Sequence, residues 1–265
     1  MATKKAPGTG VAARKGSTAL ATVDAELANE IANLKSAIAQ PGGNKIKFEA
    51  SGDIILPDGQ NLGNSMEVVV LDFISANRFY ANPYNPNAIS PPDCFALGRA
   101  LNEMKPDETA PEPQNDNCHS CPLNQFGSAA NGTGKACKNS RELAVLLLDP
   151  NDPEAHNDPN APIYTISLPP TAIKSFDGFV GYVVRSLAGP PLKAIVTVTA
   201  KNAGTYAAIS FVDPTPNPDY ATHFQRRGEC EGMLFRKPDY AAAEAAPKKP
   251  VRGAARPGTT AGRRR

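Results

Sequence analysis

The run Met66-Glu67-Val68-Val69-Val70-Leu71-Asp72-Phe73-Ile74 is apolar and β-branched through its middle. Such side chains lose rotamer freedom in a helix and pack well on a pleated surface, so the run reads as a buried strand. Towards the N-terminus two shorter strands are expected. Lys45 to Glu49 alternates, with Ile46 and Phe48 on one side, and Asp53 to Leu56 is short and apolar. Ser51-Gly52 and Pro57-Asp58-Gly59 supply the turns. Further out, Leu27, Ile31, Leu34 and Ile38 mark one face of a helix over 24–39, with Asp24 and Glu26 at its positive end and Pro41-Gly42-Gly43 after it.

Towards the C-terminus, residues 81–137 are rich in Pro, Asn and Gly and show no periodicity. A structureless stretch of that length inside a domain needs something to hold it. Regular patterns resume with strands at Leu143 to Leu148 and Ile163 to Leu168. Ile173, Phe176, Phe179, Val180, Val183, Val184 and Leu187 then form the apolar stripe of a helix that Gly189-Pro190-Pro191 ends. Strands at Ala194 to Thr199 and Tyr206 to Val212 follow, joined through Asn202-Ala203-Gly204. Asn217-Pro218 suits the start of a last helix over 218–234. The expected class is α+β: a curved, β-rich antiparallel sheet or OB-like barrel, with a loop insertion at about 81–140 and flanking helices. The domain spans 22–240, between disordered basic tails at 1–21 and 241–265.

Hydrophobic residues make up 41% of the chain, enough for a core without disulfides. No apolar run approaches the ~20 residues of a membrane span, and no apolar stretch follows the basic start, so an intracellular protein with reduced thiols is expected. Charge is uneven. Lys4, Lys5, Arg14 and Lys15 lie in the first 20 residues without an acid, and seven Lys and Arg face only Glu244 in 241–265. Residues 21–240 hold 17 Lys and Arg against 25 Asp and Glu. The tails suit a polyanion or serve only to solubilise, and the body by itself is acidic.

Cys94, Cys118, Cys121 and Cys137 all fall in the irregular stretch, spaced x23, x2 and x15. Cys118-His119-Ser120-Cys121 can place two sulfurs on one ion from a tight turn. A structural zinc site takes four N/S ligands in a closed tetrahedron. Zinc is therefore the expected cofactor, and its loop would be organised by the metal. An iron–sulfur cluster uses the same donors, and His119 could stand in for one thiolate. A redox dithiol would sit between a strand and a helix, which these flanks do not supply. Cys230 lies on the expected last helix as a core thiol. No enzyme is expected: His119, His156 and His223 are scattered, no His-x-Glu precedes the CxxC as a deaminase requires, and there is no nucleophile elbow or full phosphate loop. Gly132-Thr133-Gly134-Lys135 reads as a turn.

Cys94-Phe95, the run Cys118-His119-Ser120-Cys121-Pro122-Leu123-Asn124-Gln125-Phe126-Gly127-Ser128, and Gly134-Lys135-Ala136-Cys137-Lys138 resemble bacteriophage zinc-containing single-stranded DNA-binding proteins. Ile163 to Phe211 looks like that family's strand–helix–strand–strand half, so the resemblance covers most of residues 66–235. It implies an OB-like core, one bound zinc, single-stranded DNA as ligand, replication proteins as partners and the host cytoplasm as location. Replication proteins of this kind often end in an acidic tail, whereas this chain ends in Arg263-Arg264-Arg265.

Binding a single strand without sequence preference needs cations for the backbone and rings for the bases. Arg78, Phe79, Tyr80 and Tyr84 interleave these at the end of the third strand, and Phe126, Lys135, Lys138 and Arg141 do so around the cysteines. The competing reading of Phe79 and Phe126 is as small-core residues beneath the loop. The competing function is a virion or transcription-associated adaptor that uses the loop and basic tails to bind protein or packaged nucleic acid.

Overall fold

The computed structural model describes residues 43–83, 90–152 and 154–240; the expected helix at 24–39, both tails and Tyr84 lie outside them. The described residues from Asn44 onward form one compact unit. Strands β1 (Lys47–Phe48) and β2 (Ile54–Ile55) make a small hairpin. Strands β3 (Ser65–Phe79), β4 (Cys94–Gly98), β5 (Lys138–Leu147), β6 (Ile163–Leu168), β7 (Ala194–Asn202) and β8 (Ala207–Pro216) form one sheet in the order β6-β5-β3-β7-β8, with β4 also on β3. Every pairing between these strands is antiparallel. Helix α1 spans Pro170–Leu187; α2 (Tyr220–Gln225) and α3 (Glu231–Leu234) follow, separated by a 3-10 turn at Arg226–Cys230. The fold is α+β with an antiparallel sheet.

The long strand β3 organises the rest. One of its edges pairs with β5 along Val68 to Arg78. The other takes β7 over Ser65 to Val69 and β4 over Ser75 to Phe79. A bulge divides the two halves: Val70 pairs with Val145 and Asp72 with Ala144, leaving Leu71 as the extra residue. Bulges bend a strand and sharpen its twist. Met66, Val68, Val70 and, beyond the bulge, Phe73 face one core, while Val69, Leu71 and Ile74 face a second. The sheet is thus buried on both sides, which is why four consecutive residues from Val68 to Leu71 are all apolar.

The first core lies under α1. Ala172, Phe176, Phe179 and Val183 are its buried face, against Val68, Val145, Val196 and Phe211. The helix starts on Pro170, whose missing N–H costs nothing in a first turn. It ends at Ala188, in the left-handed conformation at φ 46°, one residue before the expected glycine. The β1–β2 hairpin closes the same side. Its Gly52 has φ +98°, and a Cβ there would meet the Asn202 nitrogen at 3.1 Å and the Ala200 oxygen at 3.2 Å, so both conformation and space require glycine.

The second core is covered by residues 219–235, through Cys230, Met233, Leu234 and Phe235. The expected single helix at 218–234 is broken into α2, the turn and α3. Asp72, at the bulge, accepts from Arg99 Nη1 at 2.6 Å and Arg227 Nη2 at 3.0 Å, tying this cover to β3. His223, fully buried, adds a polar lock. Its Nε2 is 3.0 Å from Asn157 Oδ1 and its Nδ1 2.9 Å from Asn217 Nδ2. Asn217 also donates to Leu192 O and accepts from the Asp219 N–H, which fixes its orientation. His223 is therefore neutral, with the proton on Nε2. Burial, then the neighbouring His156, 5.1 Å ring to ring, lower its pKa below 6.5. The unfolded chain takes up the proton first, so stability is full above pH 6.5 and falls as pH drops through the folded value. Thermal melts are expected to show this loss as pH falls below 6.5, and His223→Gln to flatten it; an unchanged slope in that variant would assign the loss elsewhere.

Among the described residues β6 and β8 end the strand path without pairing to each other, so the sheet is open and no closed barrel forms. The free edge of β6 is covered by Asn44 to Ile46, through the Ile46 N–H to Thr165 O at 2.9 Å and the Thr165 N–H to Asn44 O at 2.8 Å. No helix of the described residues is long and apolar enough to cross a membrane.

Candidate metal centre and its loop

Residues 81–137, read as irregular, contain a strand. Cys94–Gly98 pairs with the end of β3, setting Cys94 opposite Phe79 and Ala96 opposite Asn77. Phe95-Ala96-Leu97 is too short an apolar run, and too poor in β-branched residues, to announce itself. The loop beyond it is also pinned by its own backbone: Asp107 N–H to Phe95 O at 2.8 Å, Glu112 N–H to Asp93 O at 2.8 Å, Cys118 N–H to Met104 O at 2.9 Å and Cys137 N–H to Leu123 O at 2.9 Å. Met104 fills the space beside Ala96 and Cys118 as a small third core.

The sheet and the loop bring the four cysteines together. Cys94, Cys118, Cys121 and Cys137 line one cavity of ≈ 20 Å³, with Asn77, Phe79, Leu123 and Asn124 among its other walls. A space of that size admits about one water-sized occupant. All four are free thiols and at least nine-tenths buried. Phe79 and Asn77 share the sheet face of Phe73, which packs on Phe176 of α1, so the cavity and α1 lie on the same side of the sheet. His119 is exposed and outside the cavity, which leaves the donor set all sulfur.

As the side chains stand, no three His, Cys, Asp or Glu among the described residues converge closely enough to hold a metal ion. The chemistry of the set is nevertheless suited to a soft dication. Burial, then the thiols of Cys118, Cys94 and Cys121, push the Cys137 pKa up to about 12. Burial likewise raises Cys94 and Cys118, while the Gln114 backbone on Cys94 and the Asn77 side chain on Cys118 act as hydrogen-bond donors in the opposite sense. Metal-bound thiolates are commonly held by such outer donors. Asn77 is itself oriented by Asn139 Nδ2 on its Oδ1 at 2.6 Å, and Asn139 reaches Asn124 Oδ1 at 2.9 Å.

The run after the CxxC has a physical explanation almost residue by residue. Asn117 Oδ1 accepts from the His119 N–H at 2.7 Å and shapes the turn. Pro122 begins a 3-10 turn. Asn124 Nδ2 holds Cys118 O at 2.7 Å, and Gln125 Nε2 holds His119 O at 2.9 Å and Cys121 O at 3.2 Å. Gly127 takes φ 89° and donates to Gly134 O at 2.9 Å. Ser128 Oγ donates to Leu123 O and accepts from the Ala136 N–H at 3.0 Å. The Phe126 side chain does not take part in this bracing. Its ring is 83% exposed, with Lys135 Nζ 5.1 Å from its centroid.

The other residues expected to contact nucleic acid are dispersed. Phe79 is a cavity wall, as its small-core reading expects; Phe126 is not. Tyr80 is 42% exposed beside it in sequence. Arg78 lies on the opposite sheet face, donating to Glu142 Oε1 at 2.7 Å and Ser140 Oγ at 3.0 Å. Ser167 completes that row on Glu142, whose pKa falls because Arg78 and Ser167 outweigh its burial. Arg141 is buried and paired to Asp177 of α1 at 3.4 Å, with no guanidinium exposed for a phosphate. Lys138 is exposed, its Nζ on Lys135 O at 3.2 Å. The structure thus groups Phe126, Lys135 and Lys138 and separates Arg78 and Arg141 from them. No protein-family model, curated protein or solved structure matches this chain.

Proposed function

We propose that this protein binds single-stranded DNA through a loop organised by one structural zinc ion. Cys94, Cys118, Cys121 and Cys137 would hold the ion, which supplies cross-linking and charge neutralisation and no catalysis. The observation that carries the reading is Phe126: an exposed ring with a lysine against it, at the tip of a loop whose other residues are hydrogen-bonded into place. Rigid exposed rings flanked by cations are the elements of sequence-tolerant base stacking. Strand order supports an OB-like reading. A long strand, β3, pairs with both β5 and β7, and a helix lies between β6 and β7. In that reading the thiol loop joins the first two barrel strands and the Asn202–Tyr206 turn joins the last two, the positions from which partly open OB barrels bind oligonucleotides.

Fluorescence anisotropy with a labelled oligothymidylate tests it. Micromolar or tighter affinity is expected, weakening with salt. Phe126→Ala should weaken it about 5- to 150-fold, the equivalent of about 1–3 kcal/mol for one stacked ring. Equal affinity for duplex DNA, or an unaffected F126A variant, would reject the reading. The engagement of Arg78 and Arg141 in ion pairs favours, as the alternative, an adaptor whose basic tail binds the polyanion. Loss of all binding on deleting residues 241–265 would select it.

A further inference from the structure

Helix α1 offers a surface that the loop does not use. Lys174, Gly178, Gly181, Tyr182 and Arg185 fall at i, i+4, i+7, i+8 and i+11, one stripe of a helical period turned away from the core. Lys174 and Arg185 are exposed, and neither forms an ion pair among the described residues. At 1.5 Å per residue they stand about 16 Å apart along the axis. Beside the stripe a groove of ≈ 900 Å³ separates α1 from β8, with Lys174, Gly178 and Tyr182 on one wall and Tyr206, Ser210 and Asp213 on the other. Tyr182 and Tyr206 are 38% and 47% exposed, a ring on each wall.

The groove also runs along the edge of β8 that no strand of the described residues pairs. The Phe211 N–H points away from β7 to Ser175 Oγ at 2.9 Å. Strand alternation then turns the N–H and C=O of Ala207 and Ile209 to the same edge. Ala207-Ala208-Ile209-Ser210-Phe211-Val212 has none of the Lys or Pro residues that usually protect such an edge. Gly178 costs the helix about 1 kcal/mol relative to Ala. A Cβ there would meet nothing within 4 Å, and its φ is not positive, so the fold itself does not require glycine. Its effect is to keep the groove free of a side chain.

We infer that the α1–β8 groove holds a short run of single-stranded nucleic acid, with phosphates on Lys174 and Arg185 and bases against Tyr182 and Tyr206. This rests on the reading of the chain as a single-strand binder and places a second contact beyond the loop. A peptide added to β8 would use the edge but leave two unpaired cations and two exposed rings without a role.

The test uses the full chain and labelled oligothymidylate. Tyr182→Ala and Tyr206→Ala should each weaken binding about 5- to 150-fold. Lys174→Ala with Arg185→Ala should reduce the slope of log K against log salt by about 1.4. Gly178→Leu is the decisive variant: affinity should fall at least about tenfold while Tm stays equal or rises, because leucine favours the helix and fills the groove. Photocross-links at Tyr182 or Tyr206 would support the groove. Wild-type binding with all these variants unchanged, or cross-links confined to residues 119–138, overturns the groove and leaves the loop reading standing. A Gly178→Leu effect on self-association alone assigns the groove to a second copy and overturns it too. A wild-type chain that fails to bind at low salt removes both readings.

Discussion

Chelation is expected to release one zinc ion per chain and open residues 99–137 to protease while the sheet stays folded. The reason is the distribution of apolar contacts. Outside the thiols, the loop's buried apolar side chains among the described residues are Met104, packed with Ala96, and Ala110. The sheet has two large cores of its own. Structural zinc contributes on the order of 10–16 kcal/mol to small zinc-dependent folds, far more than two apolar side chains at about 1–3 kcal/mol each. Cys118→Ser should therefore lose stoichiometric metal and expose the loop. Cys230→Ser, buried in the second core and outside the cavity, should retain both. Elemental analysis, limited proteolysis with mass spectrometry and far-UV circular dichroism separate the cases. Purified protein without stoichiometric metal whose loop is already protease-resistant would show that hydrogen bonds alone hold it.

Phe176→Ala is expected to destabilise the domain by about 3–5 kcal/mol, the range for deleting a fully buried aromatic side chain. The ring is 0% exposed and meets Phe73 edge-on at 5.0 Å, Phe211 at 5.2 Å and Phe179 at 6.2 Å, so its loss leaves a cavity bounded by three other rings. Val184 belongs to the same apolar stripe in the sequence but is 55% exposed. Val184→Ala should change stability by no more than about 0.5 kcal/mol. Urea denaturation with an unchanged m-value measures both. Similar costs for the two variants would mean that the buried face of α1 has been misassigned.

Legibility followed the length of the pattern. The β6 strand has the expected bounds, α1 stops one residue short of the glycine expected to end it, and β7 and β8 extend a few residues beyond their apolar runs. The last residues of β3 and the start of β5 lay beyond the apolar runs because Asn77, Arg78, Lys138 and Asn139 are polar, and they pair there to carry the loop rather than a core. Local sequence could not reveal β4 or the break in the last helix; both depend on partners distant in the chain, Phe79 for β4 and Asp72 for Arg227. The cysteine grouping was legible from spacing alone. The division among the candidate contact residues was not, since ion pairs of Arg78 with Glu142 and of Arg141 with Asp177 depend on register and on where α1 crosses the sheet.

The supernumerary Leu71 makes β3 unequal in its tolerance of length change. Excising that residue would let Val70 and Asp72 continue as ordinary neighbours opposite Val145 and Ala144, and every side chain up to Phe79 would keep its side of the sheet. A codon lost from Phe73 to Asn77 would instead reverse the remainder, swinging Phe79 away from the sulfur chamber. The thiol loop is thus vulnerable to a deletion that touches no cysteine, whereas one at the kink keeps Phe79 on its side of the sheet and costs the second core the buried Leu71 side chain.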